Sequence, residues 1–155
     1  MDLYTQEGVV GHAYLFTYTP LVLKPLLGLI ENLATLLKGL ELSPLDIERK
    51  LDSRFRLLGK TGLVTMAIAG IDMALWDAAA QAAGMPLCRF LGGSTDPVPA
   101  YFSQGMDGLE QGVELAHECI ERGFSLMKIK IGYSTLTEDI AVVKALDCQV
   151  RLLPL

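Results

Sequence analysis

Leu126-Met127-Lys128-Ile129-Lys130-Ile131-Gly132 is the stretch on which the fold turns. Its apolar and charged residues alternate with period two, so a strand here puts Met127, Ile129 and Ile131 on one side and both lysines on the other. Two lysines so placed have Cα atoms about 6.6 Å apart. At an effective dielectric of roughly 20 their charges repel by about 2.5 kcal/mol. Repulsion of that size favours giving up one proton, the direction that makes a lysine a general base near neutral pH. A charged outer face on an edge strand gives the same pattern. The apolar partners of the lysines, and the helical patterns on either side at 109–122 and 136–146, favour a central strand instead. Strand-like runs at 98–103 and 150–153 complete a rhythm of strand, helix, strand, helix, strand, which predicts parallel strands joined by crossover helices. Three strands cannot close a barrel that typically takes about 250 residues. Either the sheet is open or the protein is incomplete.

Before this region the periodicity differs. Residues 8–18 are β-branched and aromatic with two glycines and read as the end of a β-hairpin. From Pro25, the residues Leu26, Leu29, Ile30, Leu33, Leu36, Leu37 and Leu40 form an amphipathic helical stripe closed near Gly39. Ser43 is placed to cap a second helix, with Pro44 at its first position and Asp46 in its first turn, running to about Phe55. Residues 61–83 form a long, alanine-rich apolar helix that stops at Gly84-Met85-Pro86, and a short helix follows, ending at Gly92-Gly93. Asp96-Pro97-Val98-Pro99 reads as a linker, so the expected domains are 1–95 and 96–155.

The 155 residues include 13 Lys and Arg against 18 Asp and Glu, a net charge of −5, with 51% hydrophobic residues. That is the balance of a folded domain rather than a disordered chain. No basic cluster offers a phosphate backbone a footprint, so nucleic acid is excluded as an expected partner. The uncharged windows 61–71 and 78–88 fall short of the roughly 20 residues that span a bilayer, and no membrane crossing is expected. The N-terminus lacks a basic region before an apolar run, and Cys88, Cys119 and Cys148 are odd in number and widely spaced; both point to a cytoplasmic location. Leu58-Gly59-Lys60-Thr61 lacks the earlier glycine of a phosphate loop, because Arg54 stands there. Glu114, His117 and Glu118 read as a solvated helix face and His12 as an ordinary strand imidazole. Asp72 and Asp77, five apart, read as partners for loops or arginines.

The helix Ala67-Ile68-Ala69-Gly70-Ile71-Asp72-Met73-Ala74-Leu75-Trp76-Asp77, continued through Gly84-Met85-Pro86-Leu87 to Leu91-Gly92-Gly93, resembles the signature of the mandelate racemase/muconate lactonizing branch of the enolase superfamily. Lys128-Ile129-Lys130 resembles its Lys-x-Lys motif, and Gly8 to Pro20 with Tyr101-Phe102-Ser103 is most similar to mandelate racemase within that branch. The resemblance implies a mixed α/β and α+β fold: an incomplete α+β capping domain, then the first strands and helices of a TIM-like (β/α)₇β barrel. It implies an isomerase or lyase that abstracts the α-proton of a small carboxylate, a hydroxy acid or sugar acid, with Mg²⁺ stabilising the enolate. By position, Lys130 would be the base and Lys128 the cation that tunes it and meets the substrate carboxylate. Ser103 would face the substrate from the first barrel strand, and Tyr18 would reach it from the capping domain.

The resemblance also implies that the three magnesium carboxylates lie beyond Leu155, with Pro154-Leu155 standing where the family leads into its first metal-binding Asp. The chain therefore reads as a truncated product or fragment, inactive alone and binding no Mg²⁺ specifically, with unpaired strand edges that favour association or a homo-oligomer. The alternative is a non-catalytic remnant that acts only by associating with intact homologues. Racemases, cycloisomerases, dehydratases and epimerases share Lys-x-Lys, so the substrate stays open.

Overall fold

The computed structural model describes residues 1–149. The chain forms two compact units, Met1–Thr95 and Asp96–Leu155.

In the first unit, strands β1 (Asp2–Tyr4) and β2 (Val10–His12) pair antiparallel, with Asp2 opposite His12 and Tyr4 opposite Val10. The hairpin thus begins earlier than the sequence suggests. Residues 13–19 carry no ladder, although Tyr14, Phe16 and Tyr18 are exposed in alternation with half-buried neighbours. A 3₁₀ turn at Pro20–Val22 leads into helix α1 (Leu23–Leu37), which starts two residues ahead of Pro25. Proline is tolerated there because first-turn N–H groups have no helical acceptor. Helices α2 (Pro44–Arg54), α3 (Leu63–Ala82) and α4 (Leu87–Phe90) follow.

One apolar core joins Leu26 and Leu33 of α1, Ile47 and Leu51 of α2, and Ala67, Ile68, Ile71 and Leu75 of α3. Fully burying one such leucine is worth about 1.5–3 kcal/mol. The alanines of α3 let neighbours come close, and β2 lies directly on it at Gly11. A Cβ at Gly11 would collide with the Ala74 carbonyl oxygen and stand 2.8 Å from the Ala78 methyl.

Two sequence expectations need correction. Ser43 stands at the N-cap of α2 but makes no side-chain cap; its hydroxyl donates to Asp46 Oδ2 at 2.8 Å, because a carboxylate is the stronger acceptor nearby. The stretches Pro20–Leu37 and Leu63–Ala82 are long and apolar enough to cross a membrane, contrary to the uncharged-window argument, since each carries only two charged residues. In this fold α3 is the central helix of the unit, with Ala67, Ala74 and Ala78 fully buried.

The second unit runs β3 (Phe102–Ser103), α5 (Gly108–Glu121), β4 (Met127–Lys128), α6 (Leu136–Gln149). β3 and β4 are parallel, with Phe102 beside Met127 and Ser103 beside Lys128. Both strands are shorter than expected. Pro97 and Pro99 have no N–H to donate ahead of β3, and beyond Ser103 the chain bends at Met106, just ahead of α5. The expected third strand, 150–153, lies outside the described residues. Ala116, Val142 and Leu146 form the core with Val113, Met127, Ile129 and Tyr133 packed on it.

Candidate functional site

The end of β4 is built by its own alternation. Met127 and Ile129 turn into the α5/α6 core, so Lys128 and Lys130 between and after them are exposed on the opposite side. Three hydrogen bonds knit this segment to the one before it: Phe102 N–H to the Leu126 carbonyl at 2.8 Å, Gln104 N–H to Lys128 at 2.7 Å, and Lys130 N–H to Gly105 at 3.1 Å. Lys130 is thus held by a main-chain bond although it lies past the two-residue ladder. Ser103, exposed, is the register partner of Lys128. The Lys128 ammonium lies 5.5 Å from the centroid of the Tyr101 ring, within cation–π range.

Tyr18 belongs to the first unit. It is 88% exposed, its ring meets Phe16 edge-on at 4.7 Å, and its φ of +58° makes it the one non-glycine residue in the left-handed region among the described residues. That conformation costs an L-residue about 1–2 kcal/mol.

The other sequence candidates have structural partners. His12 Nδ1 sits 2.9 Å from Asp2 Oδ1, a contact that lowers the Asp2 carboxyl below its usual range. Asp77 accepts from the His12 N–H at 2.8 Å and from Gln81 Nε2 at 2.7 Å, so it closes the edge of β2 rather than pairing with arginine. Asp72 is raised from the ordinary carboxylate range by burial, with the Glu48 charge adding and the Trp76 indole opposing. Glu118 pairs with Arg122 at 3.0 Å on the exposed face of α5. Cys119 is buried, which raises its thiol, and Cys88 is exposed; the Cys148 side chain lies outside the described part of the structure.

Sequence reasoning passed over the loops that surround Lys130. Asp139 Oδ1 accepts from the Gly132 and Tyr133 N–H groups at 2.8 and 3.0 Å, and these bonds hold its carboxyl below the usual range. The Tyr133 hydroxyl accepts from the Gly108 N–H at 2.7 Å, and Asp107 Oδ2 accepts from the Gly105 N–H at 2.8 Å. Thr135-x-x-Glu138 was readable as a capping box, and both of its reciprocal bonds are present at 3.2 and 3.1 Å.

With respect to magnesium, the described residues bring together no group of three His, Cys, Asp or Glu side chains. A hard divalent cation needs several fixed oxygens, so these residues do not fit it. The crevice beside Lys130, lined by Gln104, Asp107 and Tyr133, has a volume of about 10 Å³, room for one water molecule.

Residues 1–92 match the family model of the mandelate racemase/muconate lactonizing enzyme N-terminal domain. Arabinonate dehydratase of Saccharolobus solfataricus is 34% identical over 57% of this chain and 25% of its own length. L-Talarate/galactarate dehydratase of Salmonella typhimurium is 35% identical over 54% of this chain and 22% of its own. Other relatives are epimerases and a cycloisomerase. The crystal structure of an enolase from Bradyrhizobium, complexed with magnesium and mandelic acid, superposes with a TM-score of 0.87 at 45% identity, covering 96% of this chain and 42% of that one. The chain thus spans about a quarter of the length of these two curated relatives. The signature helix α3, the hairpin on which it rests and the match over residues 1–92 together show that the chain belongs to the mandelate racemase/muconate lactonizing branch of the enolase superfamily and carries its N-terminal capping domain.

Proposed function

We propose that Lys130 is the base that removes the α-proton of a small carboxylate, a hydroxy acid or sugar acid, and that Lys128 is the cation that binds the substrate carboxylate. The observation that carries this reading is the exposure of both lysines on the side of β4 opposite Met127 and Ile129, with Ser103 beside Lys128 on a parallel neighbour. Support comes from the relatives, which are dehydratases, epimerases and cycloisomerases, and from a neighbour crystallised with mandelic acid.

In the step proposed, the Cα–H bond breaks, the proton passes to Lys130 Nζ, and the electron pair moves into the carboxylate as an enolate. Lys128 is assigned to lower the energy of the negative charge, and Ser103, its register partner, to offer a hydroxyl to the same group. Tyr18 is proposed as a contact from the capping domain. General-base catalysis of this kind supplies typically about 10²- to 10⁴-fold. The described residues hold no magnesium site, so the enolate charge is assigned no metal partner within them. The segment β3–α5–β4–α6 is read as the opening of a (β/α)₇β barrel, and magnesium is assigned to carboxylates contributed from outside residues 1–149.

The test compares the 155-residue chain with the same chain fused to the remaining segment of the Bradyrhizobium relative. Each is assayed for deuterium exchange at the α-carbon of mandelate and of a sugar-acid panel in D₂O with Mg²⁺. The fusion should exchange, while the chain alone should neither exchange nor bind Mg²⁺ stoichiometrically by calorimetry. Metal-dependent exchange by the unfused chain would overturn the assignment of the metal site. A folded fusion with no exchange on any substrate would favour a remnant that works only by association.

A further inference from the structure

Lys130 lies two residues past the paired part of β4, yet its main chain is tied on both sides. Its own N–H reaches the Gly105 carbonyl at 3.1 Å. Two residues on, Gly132 takes a φ of +126°, a conformation that strains any residue with a Cβ. At this turn the N–H groups of Gly132 and Tyr133 converge on Asp139 Oδ1. Tyr133 then spans to the preceding loop, where its hydroxyl accepts from Gly108 N–H, while Asp107 holds the Gly105 N–H. Gly105 is the residue whose carbonyl receives Lys130, so the hydrogen bonds link the loop after β3 and the loop after β4 on either side of the same lysine.

A helix-capping role does not account for Asp139. The first turn of α6 is already closed by Thr135 and Glu138, which satisfy each other's N–H groups. Asp139 instead turns its oxygen back to the loop, and bonds from N–H groups to a carboxylate are roughly twice as strong as neutral ones. Tyr133 is half-buried and packs on the core of the unit, so its hydroxyl reaches Gly108 from an anchored ring.

We propose that Asp139 and Tyr133 are positioning residues that fix the main chain of Lys130, and through it the direction of the Lys130 side chain relative to Lys128. The catalytic meaning rests on Lys130 being the base. The hydrogen-bond linkage can be tested without substrate or metal.

The experiment uses the full 155-residue chain. Amide hydrogen exchange is measured by NMR, and acylation of Lys128, Lys130 and Lys144 by sulfo-N-hydroxysuccinimide acetate is followed by peptide mass spectrometry. In Asp139→Ala, exchange at Gly132, Tyr133 and Lys130 should quicken by about 10- to 100-fold, the worth of hydrogen bonds to a charged group. The ratio of Lys130 to Lys128 acylation should change, while Lys144 and the amides of α3 stay as they were. Asp139→Asn keeps an acceptor oxygen and should recover part of the protection. Tyr133→Phe should loosen Gly108 and Lys130 together. Faster exchange at Gly132 and Tyr133, with Lys130 exchange and its acylation ratio unchanged in both Asp139→Ala and Tyr133→Phe, would overturn the proposal. If Asp139→Ala unfolds the unit, Asp139→Asn and Tyr133→Phe decide by the same readouts. A fusion inactive toward every carboxylate, with the Lys130-specific changes intact, would refute the catalytic assignment and leave the positioning linkage standing.

Discussion

Gly11 and Asp72 show how single residues on or beside α3 set the tolerance of the capping domain. Gly11 has backbone of α3 where a side chain would begin, and backbone cannot rotate aside. Gly11→Ala should therefore cost about 1–3 kcal/mol, the range for overpacking a close contact, read as a lower urea midpoint with an unchanged slope. Gly70, by contrast, meets side chain rather than backbone, Leu15 Cδ1 at 2.7 Å and Cγ at 3.1 Å, so Gly70→Ala should cost less. Asp72 behaves in the opposite sense. Its carboxyl is raised by burial and by Glu48, so between the ordinary Asp value and the raised one the folded state binds more protons than the unfolded state. Stability from this group falls as pH rises through that window and stays reduced at neutral pH. Asp72→Asn should raise stability at pH 7 by up to about 0.5 kcal/mol, as expected for a partly exposed site. The gain should vanish below the ordinary Asp range, as paired melts at low and neutral pH would show. Asp139 has the reverse sign: its carboxyl is lowered, so its contribution is present above the ordinary value and is lost as pH falls through the lowered one.

At the scale of elements, the helices were legible because their apolar spacing is long enough to repeat. Leu26 and Leu33 mark α1 and are its buried residues, and the stop after α3 was readable from Gly84, whose φ of +65° follows the last turn. Strand lengths were not legible, since four alternating residues look the same whether or not a neighbour pairs with them. Phe102 and Ser103 pair, but the residues before them follow two prolines. The caps separate the two cases well. Ser43 has the position of a cap and spends its hydroxyl on Asp46, while Thr135 has both position and partner. Thr135→Ala should accordingly destabilise α6 by about 1 kcal/mol, and Ser43→Ala should cost α2 less, measured as loss of amide protection in the first turn of each helix.

For the molecule as a whole, the family was readable because its two signatures are local: a contiguous helix with its Gly-Met-Pro stop, and a strand with period-two lysines. The residues around Lys130 were not readable, because Asp139 acts on main-chain N–H groups six and seven residues earlier, and Tyr133 on one 25 residues earlier. No side-chain pattern in the sequence announces such bonds. The most direct test of Lys130 as the base is the rate of α-deuterium incorporation into mandelate by the chain fused to the remaining segment of the Bradyrhizobium relative, measured by NMR in D₂O with Mg²⁺. Against the unsubstituted fusion, Lys130→Ala should lose about 10²- to 10⁴-fold, the scale of a missing general base, while folding to the same melting temperature. A Lys130→Ala fusion that exchanges at the unsubstituted rate would contradict the account.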